Sequence, residues 1–467
     1  MSALLAPQTT TVSLWAHQRE AVEFAAPRAA AMLAIPMGLG KTLSTIAIVG
    51  ERQWARTLIL SPKSVVPHWP REFAKFAAYP VRVVALDGRK SVAARVAQAE
   101  AEAAMGQPGP LVIVTNHEAA WRPEMSKFIE RWRPECLVVD ESSKAKDPFG
   151  AFSKWLGRMA PLFRQRIALT GTPMSHSPLD IFAQYRFLDS RIFGHSFVRF
   201  RARYGVMGGW QGKQVIAYQN TDELAERFRS CAYECAADLI SLPETVDTTR
   251  TVVLGQRAAL LYKQIARDFW AAVEAGEVTA SNALTRMLRL QQITGGAVGL
   301  DLGECERPQD RRVERIDTAK QDGLQSVLED LPSGEPVVVF ARFTADLDAI
   351  HAAAKAAGFS SAELSGRRSD LEAWQGGSAD VLAVQVQAGG FGVDLTRARV
   401  CVYYSVSYSL GEYLQSRKRT HRPGQTRSVL YVHLVAEGTI DEQVYRALEA
   451  RQSVIEAVLA SGGRACG

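Results

Sequence analysis

The chain has 467 residues, 47% of them hydrophobic, and its 55 Lys plus Arg against 49 Asp plus Glu leave a formal net charge of +6. One core rarely grows past about 250 to 300 residues, so several domains are expected, and so small a charge excess indicates no nucleic-acid partner unless the cations cluster. Six cysteines with no paired C-x-x-C set argue against a disulfide scaffold or a cysteine zinc site and fit a reducing cytoplasm; neither an export signal nor a run of about 18 apolar residues is found, so no membrane role is expected.

In chain order, short apolar runs recur at Thr57–Ser61, Val81–Leu86, Leu111–Thr115, Cys136–Asp140 and Arg166–Thr170, each closed by polar or glycine residues. Runs apolar on both faces predict buried parallel strands. The Ala- and Glu-rich stretch Ser91–Met105 predicts a helix between them, so residues 1–188 read as one α/β lobe. Strand signals then thin out. Residues 189–310 read as a mainly helical insertion and link, with helices expected at Asn220–Ala237, Arg257–Ala275 and Ser281–Thr294. Within it, Tyr204–Tyr218 has the pattern of a hairpin with Trp210 at its tip, and Glu304–Arg315 that of a charged link. Strands return at Pro336–Phe340, Asp380–Gln385, Arg399–Tyr404 and Val429–Leu434, with a helix at Ala345–Ala357. Residues 311–438 therefore form a second α/β lobe, and 439–467 a C-terminal helix and tail.

The chemistry begins at Gly38-Leu39-Gly40-Lys41-Thr42, which follows an apolar stretch and precedes a helix-compatible segment. In such a turn, backbone N–H groups and a helix N-terminus hold phosphate, Lys41 contacts the outer phosphates and Thr42 ligates Mg²⁺. Val138-Val139-Asp140-Glu141 ends a strand with two carboxylates: Asp140 suits Mg²⁺ and Glu141 the orientation of an attacking water. Thr170-Gly171-Thr172 ends the next strand. Far downstream, Arg419 and Arg422, three apart and on nearby faces if helical, sit in a basic run with Arg417, Lys418 and His421. Arginines that reach a γ-phosphate from another lobe stabilise transition-state charge and tie lobe closure to nucleotide state.

Six motifs now stand in order: Leu14 to Gln18, Met37 to Thr42, Asp140 to Ser143, Leu169 to Pro173, Ala388 to Thr396 and Gln415 to Gln425. In order and spacing they resemble superfamily-two helicase-like ATPases, most closely the Swi/Snf branch and its compact phage and bacterial members, over residues 12 to 460. The resemblance implies two RecA-like lobes, each a parallel sheet flanked by helices, using ATP and Mg²⁺. It implies Gln18 on adenine, Gly38, Gly40, Lys41 and Thr42 on phosphate and metal, Asp140 and Glu141 in hydrolysis, and Arg419 and Arg422 as finger residues. Nucleic acid would be touched by Ser61, Lys63, Thr115, Asn116, Arg342, Gly389 and Gly390, while Thr170, Thr172, Asp394 and Gln415 would couple nucleotide state to movement. The partner expected is double-stranded DNA bound with little sequence specificity, by a monomer in the cytoplasm of a bacterial or phage-infected cell, with a protein partner left open.

Some positions depart from that pattern. Ile35-Pro36 replaces an Asp-Glu pair, Ser142-Ser143 an Ala-His pair, His176 an Asn, and Lys418 an acid. The leading expectation is an ATP-driven translocase on duplex DNA. A strand-separating or branch-migrating helicase, with Trp210 as wedge, and a nucleotide-gated clamp with little hydrolysis are the alternatives.

Overall fold

The computed structural model describes residues 9–106, 109–208, 214–235, 242–274, 280–299, 313–386 and 393–460. Two compact units emerge, one of residues 1–240 with 451–467, the other of 241–450.

The first unit carries β1 (Ala30–Ala34), β2 (Arg56–Ser61), β3 (Arg82–Ala85), β4 (Leu111–Asn116), β5 (Cys136–Asp140), β6 (Gln165–Thr170), the hairpin β7 (Gly205–Gly208) with β8 (Gln214–Tyr218), and β9 (Ala232–Glu234). Among the described residues, seven of these form a sheet in the order β3-β4-β2-β5-β6-β1-β9, every neighbouring pair parallel. The reason lies in residue alternation. Leu58, Leu60, Ile113, Leu137, Val139 and Ala168 feed the core on one face, and Ile59, Val112, Val114, Val138, Ile167 and Leu169 feed the core on the other. Each such side chain, once buried, contributes roughly 1.5–3 kcal/mol, so a strand apolar at every position is stable only between two helical layers. Those layers include Val92–Ala104, whose first turn is capped by Ser91 Oγ accepting from Ala94 N at 3.2 Å.

One element goes against its composition and another differs from the sequence expectation. β1 reads Ala-Ala-Met-Leu-Ala, a helix-favouring composition, yet it is a strand because burial between β6 and β9 outweighs propensity. The helix expected over Asn220–Ala237 stops at Arg229. The chain there turns into β9, whose approach is fixed by Met32 N donating to Cys231 O at 2.7 Å. The hairpin β7–β8 is antiparallel as expected; Trp210 lies outside the described residues.

The second unit carries β10 (Thr245–Val252), β11 (Ala297–Gly299), β12 (Val313–Arg315), β13 (Val337–Ala341), β14 (Ser361–Leu364), β15 (Val381–Gln385), β16 (Val400–Tyr403) and β17 (Val429–Ala436). Its main sheet runs β10-β17-β16-β13-β15-β14, again parallel throughout, while β11 and β12 pair antiparallel. Val337, Val339, Val381, Val400, Val402 and Leu434 form one core. On the opposite face, Phe340 stacks on Tyr403 and Tyr403 on His433, at 5.1 and 5.2 Å between ring centroids. Residues 189–310, expected as one insertion, divide: those to Glu234 complete the first unit, whereas β10 and the helices Gln256–Glu274 and Ala280–Thr294 belong to the second. The latter helix is tied down by a buried ion pair, Lys320 Nζ to Asp441 Oδ2 at 2.6 Å, since Asp441 Oδ1 also accepts from Thr294 Oγ1 at 2.9 Å. With both charges hydrogen-bonded, the desolvation cost of burying them is offset.

Candidate functional site

Strand register gathers the polar motif residues of the first unit. Ala34 pairs with Thr170, Asp140 with Leu169, and Ser61 with Asn116, so β1, β2, β4, β5 and β6 all release their next residues at the carboxyl edge of the sheet. Open parallel sheets bind ligands at that edge. From β1 the chain turns through Gly38 and Gly40, at φ +83° and +82°, into the helix Lys41–Arg52. A side chain at Gly40 would be strained and would also collide with Gln18, whose Nε2 lies 2.2 Å from the place of a Cβ. The helix has no side-chain cap, so its first-turn N–H groups suit an anion. Lys41 Nζ donates to Ile35 O at 2.8 Å, folding back over the loop. Burial lowers its pKa while the charges of Glu141 and Asp140 act the other way.

Asp140 is held by Ser61, which was expected to touch nucleic acid, and by Trp69, which sequence reasoning did not single out. Ser61 Oγ donates to Asp140 Oδ2 at 2.9 Å and accepts from Trp69 Nε1 at 3.2 Å. Burial raises the Asp140 pKa, and the Ser61 hydrogen bond followed by the Lys41 charge pulls it back. Glu141 adopts a left-handed backbone at φ +49°, an uncommon state for a non-glycine residue and one that clusters at active sites and ligand clamps. His117 Nε2 bonds the carbonyl oxygen of Asp140 at 2.8 Å, and burial drives the His117 pKa down to about 4. It is a neutral imidazole near pH 7.

The loop after β6 packs on the glycine turn: a Cβ at Gly171 would stand 3.3 Å from Met37 N, a tight contact that the turn would have to yield to by a few tenths of an ångström. Thr170 Oγ1 accepts from Thr172 N at 3.1 Å. Ser142, beside Glu141, donates to Gln184 Oε1 at 2.8 Å, and Gln184 Nε2 donates to Pro173 O at 2.7 Å. Gln184 is fully buried. The carboxylate loop and the Thr170 loop are thus bridged by a side chain of the helix Ile181–Leu188. A lone amide inside the apolar run Ile-Phe-Ala-Gln-Tyr was the available signal.

The remaining expected residues fall into two groups. Gln18 has both amide ends engaged, Oε1 accepting from Trp15 N at 2.9 Å and Nε2 donating to Leu39 O at 3.2 Å. Ser61 and Thr115 are fully buried, and Asn116 bonds Arg95 and Glu118. Lys63 is exposed, its stem lying over Gly88. In the second unit, Arg342 N donates to Ser405 Oγ at 2.8 Å and its guanidinium bonds Gln291. Asp394 Oδ1 accepts from Thr396 N at 2.9 Å, and Gln415 is half-buried on the helix Leu410–Thr420. Gly389 and Gly390 lie outside the described residues.

That helix ends one residue after Arg419, so Arg422 is not on its face, contrary to the helical spacing read from the sequence. Pro423 explains this, because the residue before proline is pushed out of the helical region. Arg417 is committed elsewhere: it forks onto Asp247, with Nη2 to Oδ2 at 2.8 Å, over the ring of Tyr431 at 4.0 Å. Arg419 is buried, and its carbonyl accepts from Leu395 N at 3.1 Å beside Asp394. Arg422 Nε is buried with no hydrogen-bond partner among the described residues. A buried guanidinium N–H left so is costly unless an acceptor is supplied.

With this geometry in hand, similarity to known proteins is informative. Residues 17–295, more than half of the chain, match the SNF2-related domain, and residues 319–424 match the helicase conserved C-terminal domain. The chain is 24% identical over 445 residues to chromodomain-helicase-DNA-binding protein 1-like of Danio rerio, covering 91% of this chain and 41% of that protein. It is 24% identical over 451 residues to SWI/SNF-related matrix-associated actin-dependent regulator of chromatin subfamily A member 1 of Mus musculus, with coverages of 92% and 42%. The chain therefore spans about two fifths of the length of these curated relatives. Among solved structures, the Sulfolobus solfataricus SWI2/SNF2 ATPase core in complex with dsDNA aligns over 99% of this chain and 96% of its own, at 21% identity and a TM-score of 0.42.

Proposed function

Because the chain belongs to the SNF2-related family, with a helicase C-terminal domain following, we propose that it is a nucleic-acid-dependent ATPase that translocates along double-stranded DNA. What carries the reading is the carboxyl edge of the first sheet, where an uncapped helix N-terminus, Lys41, Asp140 with Glu141, and Gly171 packed on Met37 converge. Nothing in core packing calls for that set.

The residues fit the groups proposed. First-turn N–H groups and Lys41 hold phosphate oxygens; Lys41 exchanges the Ile35 carbonyl for them. One carboxylate, Asp140, and one hydroxyl, Thr42, form the hard oxygen set that Mg²⁺ takes alongside phosphate. When bound, Mg²⁺ neutralises charge on the phosphates. Hydrogen bonds from Ser61 and Trp69 favour the ionised form of Asp140 against its burial and aim it. The Glu141 carboxylate orients the attacking water and accepts its proton, and Arg419 and Arg422 supply positive charge from the second unit. Gln18, bonded to Leu39 O, braces the turn on which adenine recognition is proposed. The DNA-binding and helicase designations of the relatives support nucleic acid as partner. Lys63, exposed at the same edge, suits backbone phosphate, which carries little sequence information.

The test is steady-state ATP hydrolysis across duplex DNA, single strands, forks and RNA at several salt concentrations, with displacement of a triplex-forming third strand as the translocation readout. Duplex DNA is expected to stimulate hydrolysis most, and Lys41→Ala and Glu141→Gln to abolish it. Wild-type hydrolysis indifferent to every nucleic acid would end the proposal.

A further inference from the structure

The first unit has a second concave site, at the opposite end of β6 from Thr170. A cleft of about 480 Å³ opens where Arg166, paired with Ala30 at the start of the strand, meets the helices Ala151–Met159 and Ile181–Leu188. Its volume falls in the range of roughly 300–1,000 Å³ typical of small-ligand sites. Five cations line it, Lys154, Arg158, Arg166, Arg186 and Arg191, against a single carboxylate, Asp189. That carboxylate is already taken: Arg191 Nε and Nη2 fork onto it at 2.9 and 2.7 Å.

The two inner arginines are held by neutral groups. Arg166 donates to Leu188 O at 3.0 Å and to Ala160 O at 3.1 Å, and Arg186 donates to Pro148 O at 3.1 Å and to Ser153 Oγ at 3.3 Å. Carbonyls and hydroxyls orient a guanidinium without cancelling its charge. Asp147 acts on Arg186 only through space. Arg186 Nε is moreover buried with no hydrogen-bond partner among the described residues, against the backbone of Gly157, where a Cβ would stand 3.2 Å away. Burial works against both charges, lowering both pKa values. Fixed, partly desolvated positive charge in excess of the nearby carboxylates Asp189 and Asp147 is what an oxyanion neutralises, and planar arginine forks match phosphate geometry.

We propose that this cleft binds a phosphate-bearing anion of polyphosphate size, taken either as a free polyphosphate or as the backbone of nucleic acid. The site is independent of the nucleotide edge and of the ATPase reading. Its test is titration of inorganic tripolyphosphate by calorimetry into the full chain, into Lys41→Ala, which removes the lysine of the glycine turn, and into Lys41→Ala carrying Lys154→Glu and Arg158→Glu. Both of the latter side chains are exposed, so the fold is preserved, and with Lys41 intact the same pair is expected to leave basal ATP hydrolysis unchanged. Tripolyphosphate is expected to bind Lys41→Ala and to bind the triple variant about tenfold more weakly, as loss of two contributing cations implies. A milder change, Arg186→Lys, is expected to weaken binding as well, because one ammonium cannot fork onto phosphate. Competition by a short DNA duplex assigns the anion to nucleic-acid backbone; absence of competition assigns it to a free polyphosphate. Binding lost entirely in Lys41→Ala, or equal in Lys41→Ala and the triple variant, overturns the proposal.

Discussion

At the residue scale, the carboxyl edge of the first sheet turns on which polar groups are spent on one another. Ser61 was expected to touch nucleic acid, but it is fully buried and its hydroxyl lies between Trp69 and Asp140. Removing that donor in Ser61→Ala leaves the burial of Asp140 less opposed, so the Asp140 pKa rises further. The acid limb of the ATPase pH profile is then expected to move to higher pH with DNA affinity unchanged. A loss of DNA affinity at constant pH profile would return Ser61 to the nucleic-acid surface. His117 makes a second pH prediction. Its folded pKa is about 4 against the ordinary 6.5, so the unfolded chain takes up a proton that the folded chain refuses between these values. Stability is therefore complete above about pH 6.5 and falls as pH drops toward 4, by roughly 2 kcal/mol at about pH 5 from this group alone. Denaturant unfolding at about pH 7 and pH 5 is expected to show that much less pH sensitivity in His117→Gln. Equal sensitivity in the two proteins would remove His117 from the account.

At the scale of elements, the bond from Ser142 to Gln184 and on to Pro173 joins two loops that follow different strands. In Ser142→Ala the amide oxygen of Gln184 stays buried with no hydroxyl to bond, at a cost of about 1–3 kcal/mol. Combining it with Gln184→Leu is expected to cost less than the sum of the two single changes, with a coupling on the order of 1 kcal/mol by unfolding measurements. Strict additivity would mean that the bridge does nothing. The same scale shows what was legible beforehand. The strands β2, β4, β5 and β6 could be read because burial on both faces leaves a continuous apolar run. β1 was hidden by three alanines in five residues, and β9 by its length of three. β10, Thr-Val-Asp-Thr-Thr-Arg-Thr-Val, is an edge strand whose exposure permits polar residues. Of the site, Lys41, Asp140 and Glu141 were readable because phosphate chemistry fixes both residue type and spacing. Trp69 was not, since it acts through a tertiary hydrogen bond that leaves no local pattern, and Gln184 left only a lone amide within an apolar run. Arg419 and Arg422 were readable as residues, though not as one helical face, because Pro423 ends the segment.

At the scale of the whole molecule, each unit has its own parallel sheet and its own core, and under the proposed function the nucleotide is what would link them. Arg417 is engaged by Asp247, which also accepts from His433 Nε2 at 3.0 Å, and lies over the ring of Tyr431, whereas Arg422 Nε meets no acceptor among the described residues. If Arg422 and Arg419 act on the charge that develops as phosphate is cleaved, their loss strikes the chemical step rather than nucleotide binding. Arg419→Ala and Arg422→Ala are each expected to lower kcat about a thousandfold, in line with arginine fingers elsewhere, with ATP affinity changed little. Third-strand displacement is expected to fall in the same proportion, because movement is tied to hydrolysis. Arg417→Ala belongs to another class: it leaves Asp247, at the edge of the second sheet, without its arginine fork and with His433 as its remaining side-chain partner, and is expected to lower the unfolding midpoint of that unit. Should Arg422→Ala and Arg419→Ala hydrolyse ATP at the wild-type rate, the second unit contributes no charge to the reaction. The units would then be coupled by some contact other than the nucleotide.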